Sequence, residues 1–146
     1  MHLEVPLEGL ENLSARVEAT EPLVLDLRLE SLTGAIVASG RVRGRWSAVC
    51  SRCLAPVETD FDLRVREVFE EDPVEDETYP LLHHAEIDLE QPLRDVVVPE
   101  LPIVPLCRPD CAGLCATCGA NLNEGACDCD AVAADPRWEA LRDLEL

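Results

Sequence analysis

The distribution of cysteine constrains this chain more than any other feature of its sequence. Six of the eight cysteines lie in the segment "CRPDCAGLCATCGANLNEGACDC", residues 107–129, and the other two stand in "CSRC", residues 50–53. Zinc takes four ligands in a tetrahedron, and two cysteines separated by two residues supply half of that set from one tight turn. The spacing therefore predicts a fold organised around metal.

Eight thiols suffice for two complete sites. One set is compact, because the pair in "CATCG" is followed after eight residues by a second close pair, and Gly119, Asn121, Asn123 and Gly125 suit a loop that wraps an ion. The remaining thiols would join "CSRC" to the segment after residue 105. The sequence thus predicts two Zn²⁺ ions, each held by four cysteines: Cys115, Cys118, Cys127 and Cys129 in one site, and Cys50, Cys53, Cys107 and Cys111 in the other. Spacing alone also permits exchanged pairs, or one zinc with four free thiols.

The cellular compartment decides between metal and disulfides. The first residues, "MHLEVPLEGLENL", carry acids where a secretory signal would be basic and apolar, and no apolar run is long enough to span a membrane. A cytoplasmic location is expected. In a reducing cytosol closely spaced cysteines indicate metal or redox chemistry rather than disulfides.

Other thiol chemistries fit less well. The CxxxCxxC spacing of Cys111, Cys115 and Cys118 is used by radical enzymes whose barrel is larger than this chain, and a thioredoxin-like "CSRC" would need a helix where strands are predicted. A simple iron–sulfur cluster remains an alternative, since clusters also use four cysteines.

Catalysis is not indicated. Catalytic zinc usually has three protein ligands and an open position, whereas all-cysteine sites are usually closed. The three histidines lie near the N-terminus (His2) and in an acidic stretch (His83 and His84), and there is no phosphate-binding glycine loop or nucleophile elbow. We expect a structural metal, no enzyme activity, no catalytic residues and no small-molecule substrate.

Hydrophobic periodicity predicts the rest of the fold. In "LVLDLRL" leucine occupies every second position, as in a half-buried strand, and residues 35–49 and 56–69 give two further strands. The short links "SLTG" and "CSRCLA" make the three strands, residues 23–69, an antiparallel meander.

The residues after the meander are more varied. Acids and prolines in 70–87 predict a solvated loop. Residues 88–101 predict a helix capped by Asp88 or Gln91, with Pro92 in its first turn and Pro99 near its end. Residues 105–130 form the cysteine-rich segment, and 135–146 predict a C-terminal helix. The fold expected for 1–146 is a single α+β domain, an antiparallel β-sheet meander with one or two helices and a cysteine-rich zinc-binding C-terminal segment.

Charge gives a mixed indication about partners. The net charge of −18 opposes nonspecific binding to phosphates, but six of the twelve arginines lie between residues 41 and 66. Strand alternation puts a set of arginines on one face, where they would suit RNA: Arg41, Arg43, Arg45, Arg64 and Arg66. Pairing of these arginines with Glu58, Asp60 and Asp62 is the opposing interpretation, and it is the favoured one.

Four motifs together resemble one known family. "WSAVCSRCLAPVE", "IDLEQPLRDVVVPELPIVPLC", "DCAGLCATCGANLN" and "DPRWEAL" occur in the order found in the YceD family, the large ribosomal RNA subunit accumulation proteins. The resemblance covers roughly residues 23–144 and implies a role in accumulation or processing of large-subunit ribosomal RNA. Ribosomal RNA or a pre-ribosomal particle is then the expected partner. The alternative is an acidic adaptor that binds a basic ribosomal protein or assembly factor without touching RNA.

Overall fold

The computed structural model describes residues 1–18, 21–75, 77–83 and 86–129. Most of the regular structure in these ranges is strand, with one short α-helix and a 3₁₀ turn directly after it. The elements are β1 (His2–Val5), β2 (Ala15–Arg16), β3 (Leu23–Leu32), β4 (Ala35–Val49), β5 (Pro56–Glu70), β6 (Tyr79–Leu82), β7 (Glu86–Ile87), α1 (Glu90–Val97) and the 3₁₀ helix Val98–Glu100.

The centre of the sheet is the predicted antiparallel meander of β3, β4 and β5. The pairing of β4 with β5 is unbroken from Ala35 opposite Glu70 to Val49 opposite Pro56. In β3 the alternating Leu23, Leu25 and Leu27 are all buried, because one face of the sheet covers the core. The hydrophobic alternation therefore locates the sheet correctly.

The N-terminal segment adds strands that the hydrophobic pattern does not reveal. β1 pairs with β3 at one edge, and β2 pairs with β4 beside Ala48. Between them Asn12 donates a hydrogen bond from Nδ2 to the carbonyl oxygen of Leu101, 3.0 Å away. This contact ties the beginning of the chain to the residues that follow α1.

The expectation of a solvated loop over 70–87 is wrong for its second half. β6 pairs with the end of β5 in parallel, with Tyr79 opposite Phe69, and β7 then pairs with β6. The rings of Phe69 and Tyr79 lie 5.7 Å apart, and Phe69 is fully buried. Packing of Tyr79 on the buried ring of Phe69 favours a strand over the acidic composition of the segment. Residues 71–75 are exposed, as predicted for a loop.

Helix α1 is shorter than the predicted 88–101. Its N-cap is Leu89, with no side-chain capping bond, so the predicted cap at Asp88 or Gln91 is wrong. Asp88 still accepts a hydrogen bond from the backbone N–H of Glu90 at 2.9 Å. The helix ends at Val97 because the next turn, which contains Pro99, is 3₁₀. The second predicted helix, 135–146, lies outside the described residues.

The core lies between the inner face of the sheet, α1 and the N-terminal segment. Leu93 of α1 and Leu10 of the N-terminal segment are buried in it, and Trp46 and Phe61 pack against its margin. A smaller cluster surrounds three buried cysteines at the far end of the β4–β5 hairpin. Over the ranges given above, no helix has the length and apolar character needed to cross a membrane.

Candidate metal centres

The first group of sulfurs is named the inner site and consists of Cys50, Cys53, Cys107 and Cys111. Its four Sγ atoms all lie within 4.8 Å of one another. The Sγ atoms of Cys50 and Cys111 are 3.8 Å apart, and those of Cys53 and Cys107 are 3.6 Å apart. Both distances are much longer than a disulfide bond of about 2.05 Å. The inner site therefore joins the β4–β5 hairpin to the segment after α1 through unbonded thiols.

A tight turn at the hairpin tip brings the first two of these cysteines together. The backbone N–H of Leu54 donates to the carbonyl of Cys50 at 3.0 Å, and Leu54 has a φ of 60°. The backbone N–H groups of Cys53 and Arg52 donate to the Cys50 sulfur. They lower the pKa of Cys50 to about 6, although its burial opposes ionisation.

The second group is named the outer site and consists of Cys115, Cys118, Cys127 and Cys129. Its Sγ atoms also lie within 4.8 Å of one another, but its residues are exposed or half-buried, whereas Cys50, Cys53 and Cys111 of the inner site are buried. The two sites are thus similar in ligand set and different in access to solvent.

The first pair of the outer site repeats the turn of the inner one. The backbone N–H of Gly119 donates to the carbonyl of Cys115 at 2.9 Å, and Gly119 has a φ of 74°, which glycine adopts without strain. Donation from the backbone N–H groups of Cys118 and Thr117 lowers the pKa of Cys115 to about 6. The pKa of Cys129 is instead raised to about 12, because its thiol hydrogen-bonds with Cys118 and is partly desolvated.

Both groups of sulfurs are compact enough to hold a single tetrahedral ion. Sulfurs about 2.3 Å from a central zinc stand about 3.8 Å from one another, and the inner-site distances of 3.6 and 3.8 Å match this edge. A cluster of several irons would divide the thiolates among different irons and spread some of the sulfurs farther apart. Four thiolates this close repel one another, and a divalent cation relieves the repulsion while displacing protons.

Two residues near the sulfurs have roles that the sequence pattern does not reveal. Arg52 donates from its guanidinium to the carbonyl of Cys111 at 2.9 Å, and its own carbonyl accepts from the N–H of Leu114 at 3.1 Å. Asn123, expected only as a loop residue, donates from Nδ2 to the Sγ of Cys111 at 3.4 Å. Both residues belong to the motifs quoted from the sequence, but neither contact follows from the spacing of the cysteines.

The five arginines expected to contact RNA share one face of the sheet. This follows from the register, in which Arg41 stands opposite Arg64 and Ser39 opposite Arg66, while Arg43 and Arg45 alternate along the same strand. The pairing at Gly44 is unbroken, so there is no bulge there. Trp46 consequently lies on the opposite face, against the core, and does not stand beside the arginines.

Three of these arginines are ion-paired to aspartates on the same face. The Nε of Arg41 lies 2.6 Å from Asp62, that of Arg45 lies 2.6 Å from Asp60, and Arg43 pairs with Asp26. The pKa of Asp60 and of Asp62 is lowered by the hydrogen bond from its arginine. Neither Arg64 nor Arg66 has a salt bridge to any residue that the structure describes. We call this set of three ion pairs the arginine–aspartate ladder.

Comparison with known proteins relates this arrangement to a family. Residues 38–145 match the model of the family described as large ribosomal RNA subunit accumulation protein YceD, which is most of the chain. The chain belongs to the YceD family. The matched region includes all eight cysteines and all five arginines of the shared face.

The YceD relatives differ in how much of them this chain covers. Uncharacterized proteins of Mycobacterium bovis and Mycobacterium tuberculosis are 38% identical over 130 residues, which is 84% of this chain and 61% of each relative. The chain thus spans about three fifths of their length. A chloroplastic protein of Arabidopsis thaliana, named large ribosomal RNA subunit accumulation protein YCED homolog 1, is 41% identical over 59 residues, 40% of this chain and 18% of its own. No solved structure matches the chain.

Proposed function

We propose that this protein supports the accumulation of large-subunit ribosomal RNA as a binding factor whose fold is held by two structural Zn²⁺ ions, and not as an enzyme. The observation that carries the proposal is the YceD match over residues 38–145. The relatives that bear a functional name are named for large ribosomal RNA subunit accumulation. Two compact four-cysteine groups support a structural ion at each site, because four protein thiolates leave no position for water or substrate.

Zinc is the ion that we propose for both sites. Zn²⁺ binds four thiolates in a tetrahedron without redox chemistry, and when bound it would neutralise charge and cross-link the segments that supply its ligands. In the inner site Cys50 and Cys53 come from the hairpin tip, and Cys107 and Cys111 follow α1. A metal there would fix the end of the sheet to the C-terminal half of the described chain.

Elemental analysis of the native protein, with a thiol count on the same sample, tests this assignment. Two zinc ions per chain and no reactive thiols are expected. One zinc with four reactive thiols would limit the proposal to a single site. Iron with acid-labile sulfide would refute it and restore redox chemistry as the leading function.

For contact with RNA we propose the arginine face, defined by Arg41, Arg43, Arg45, Arg64 and Arg66. A groove of about 600 Å³ on this face is lined by Val24, Arg43 and Arg45 among others, which suits a nucleotide held by guanidinium stacking. The side chains of Arg41, Arg43 and Arg45 are each about 46% exposed. Their ion pairs are therefore screened by water, and phosphate can replace the aspartate partner.

Depletion of the protein, followed by measurement of the ratio of large- to small-subunit ribosomal RNA, tests the function itself. The ratio should fall and should recover with the parent chain. Recovery should fail with Arg64→Ser/Arg66→Ser if RNA contact uses this face. An unchanged ratio after depletion would refute the proposed role.

The acidic balance of the chain favours a second candidate. With a net charge of −18 and exposed acids at Glu71, Asp72 and Glu75, the protein suits a basic ribosomal protein or assembly factor as its direct partner. This adaptor would bind purified basic ribosomal proteins in the absence of RNA, and the binding would weaken with salt. RNA binding without any affinity for such proteins would eliminate it.

A further inference from the structure

One polar side chain lies between the two sulfur sites. Asn123 belongs to the segment that connects Cys118 and Cys127, two cysteines of the outer site, yet its side chain contacts the inner site. Its Nδ2 donates to the Sγ of Cys111 at 3.4 Å, and its Oδ1 accepts from the backbone N–H of Ala112 at 2.9 Å. The loop of one site thus supplies a hydrogen bond to a cysteine of the other.

The chemistry of the neighbours decides which way this amide points. A backbone N–H and a guanidinium can only donate, so the oxygen of Asn123 must face Ala112 and Arg108, whose Nη2 lies 2.8 Å away. The amide nitrogen is then directed to the sulfur. A hydrogen bond donated to sulfur stabilises the charged thiolate more than the neutral thiol. Asn123 therefore favours the thiolate, the form that binds metal.

The position of Asn123 depends on the loop of the outer site. Its backbone N–H and its Nδ2 both donate to the Oδ1 of Asn121, at 3.1 and 2.8 Å. The N–H of Leu122 donates to the carbonyl of Gly113 at 2.9 Å. The ends of this loop are Cys118 and Cys127, so an ion in the outer site would hold both ends and order the residues between them.

We propose that Asn123 couples the two metal sites: an ion in the outer site fixes the loop that places the Asn123 amide on Cys111, and this strengthens metal binding in the inner site. The inference rests on the proposed zinc occupancy and adds an energetic link to it. Residues that hydrogen-bond to metal ligands typically change metal affinity 10- to 100-fold. Coupling of this kind is reciprocal, so emptying the inner site weakens the outer one by the same factor.

A second connection between the sites serves as the competing explanation. The backbone of Arg52 accepts from Leu114, which precedes the first ligand of the outer site, and the Arg52 guanidinium reaches the carbonyl of Cys111. This route contains no atom of Asn123. It would transmit order between the sites even when residue 123 is altered, so the two routes are separable by mutation.

Competition between the zinc-loaded full-length chain and a calibrated chelator tests the proposal. In the parent protein, emptying the outer site with Cys115→Ser/Cys118→Ser should weaken inner-site binding about 10- to 100-fold. Asn123→Ala alone should weaken inner-site binding by a similar factor. In the Asn123→Ala background, emptying the outer site should cause little further loss. The number of ions per chain, measured by elemental analysis, identifies which site is filled.

Two further variants separate the hydrogen bond from the shape of the loop. Asn123→Asp keeps an oxygen for Ala112 and Arg108 but cannot donate to Cys111, so it should resemble Asn123→Ala. Glu124→Gln lies next in the same loop and keeps an oxygen for Asn121, its partner at 2.8 Å, so it should behave as the parent does. Because both variants retain all eight cysteines, their two-phase zinc release reports on coupling even if the double serine variant does not fold.

The outcomes distinguish the inference from the function on which it rests. Equal loss of inner-site affinity on emptying the outer site, with and without Asn123, would assign coupling to the Arg52 route and overturn the proposal. Full inner-site affinity in both Asn123 variants would also overturn it. Absence of bound zinc from the parent chain would instead refute the proposed metal, a different result from either.

Discussion

Replacing the three aspartates of the arginine–aspartate ladder tests the RNA-binding face most directly. In Asp26→Asn/Asp60→Asn/Asp62→Asn the partners of Arg41, Arg43 and Arg45 lose their charge while the side chains keep nearly the same shape. Three guanidinium groups are then available to phosphate, in addition to Arg64 and Arg66. The variant should bind ribosomal RNA more tightly than the parent does.

The magnitude follows from the number of arginines released. Each phosphate neutralised by a protein cation contributes about 0.7 to 0.9 to the slope of log affinity against log salt. Releasing three arginines should therefore steepen that slope by about 2 to about 3. The measurement is binding of a fluorescent large-subunit RNA fragment at a series of KCl concentrations. Far-ultraviolet circular dichroism checks that the sheet persists.

A matched variant controls for net charge. Glu71→Gln/Asp72→Asn/Glu75→Gln removes the same three negative charges from the exposed segment after β5. It should shift affinity slightly, through the overall field, and leave the salt slope near that of the parent. If the ladder variant has the same slope as this control, the three arginines released from the ladder do not meet phosphate, and their part in the RNA face is refuted.

Three further predictions concern the fold. Gly40→Ala should lower the free energy of unfolding, measured with urea, by at least about 1–3 kcal/mol, because its methyl would overlap a backbone carbonyl of β3. Gly34→Ala has open space around its methyl, so it should cost about 1–2 kcal/mol in the same assay, from its positive φ alone. Leu25→Ala, at a fully buried position, should cost about 3–5 kcal/mol, and Leu32→Ala, exposed in the same strand, less than about 0.5, in the same assay. Because the pKa of Asp60 is lowered in the folded state, its ionised form stabilises the fold above the unfolded-state pKa of about 4. This contribution is lost as the pH falls through the lower folded-state pKa. The urea midpoint of Asp60→Asn should therefore fall less steeply below about pH 4 than that of the parent.

The parts of the fold that the sequence predicts are those with long, regular patterns. Leu23, Leu25 and Leu27 alternate with polar residues, and the short links leave little choice but antiparallel neighbours, so β3, β4 and β5 follow from local rules. β6 could not be predicted in this way. It has only two paired positions with β5, and its burial depends on the ring of Phe69, which precedes it by ten residues.

The N-terminal segment shows a different reason for failure. Leu7, Leu10 and Val17 contribute to the core, but prolines, glycine and acids between them remove any helical or strand period. What orders the segment is contact with distant residues, such as the bond from Asn12 to Leu101. Interactions of that range are not encoded in a local pattern.

The candidate sites divide along the same line. Short spacing between cysteines places the pairs in tight turns, and the structure brings together the two sets that the sequence favoured. The structure also contains the ion pairs between arginines and acids that were predicted as the alternative to RNA binding. Asp60 and Asp62 pair with arginines as expected, and Asp26 does so in place of Glu58. The roles of Arg52 and Asn123 could not be predicted, because each depends on a contact with a segment that folds against it from elsewhere in the chain.

The position of the inner site at the tip of the β4–β5 hairpin has a consequence for synthesis. Contacts within a hairpin are local, and such a hairpin closes within microseconds once its strands have emerged from the ribosome. Cys107 follows Cys53 by 54 residues, which take about 3–10 seconds to translate. During that interval the turn at the hairpin tip would hold Cys50 and Cys53 together as half of a site. The nascent chain would then pass through a stage of several seconds in which two unligated sulfurs are open to oxidants and to competing metals.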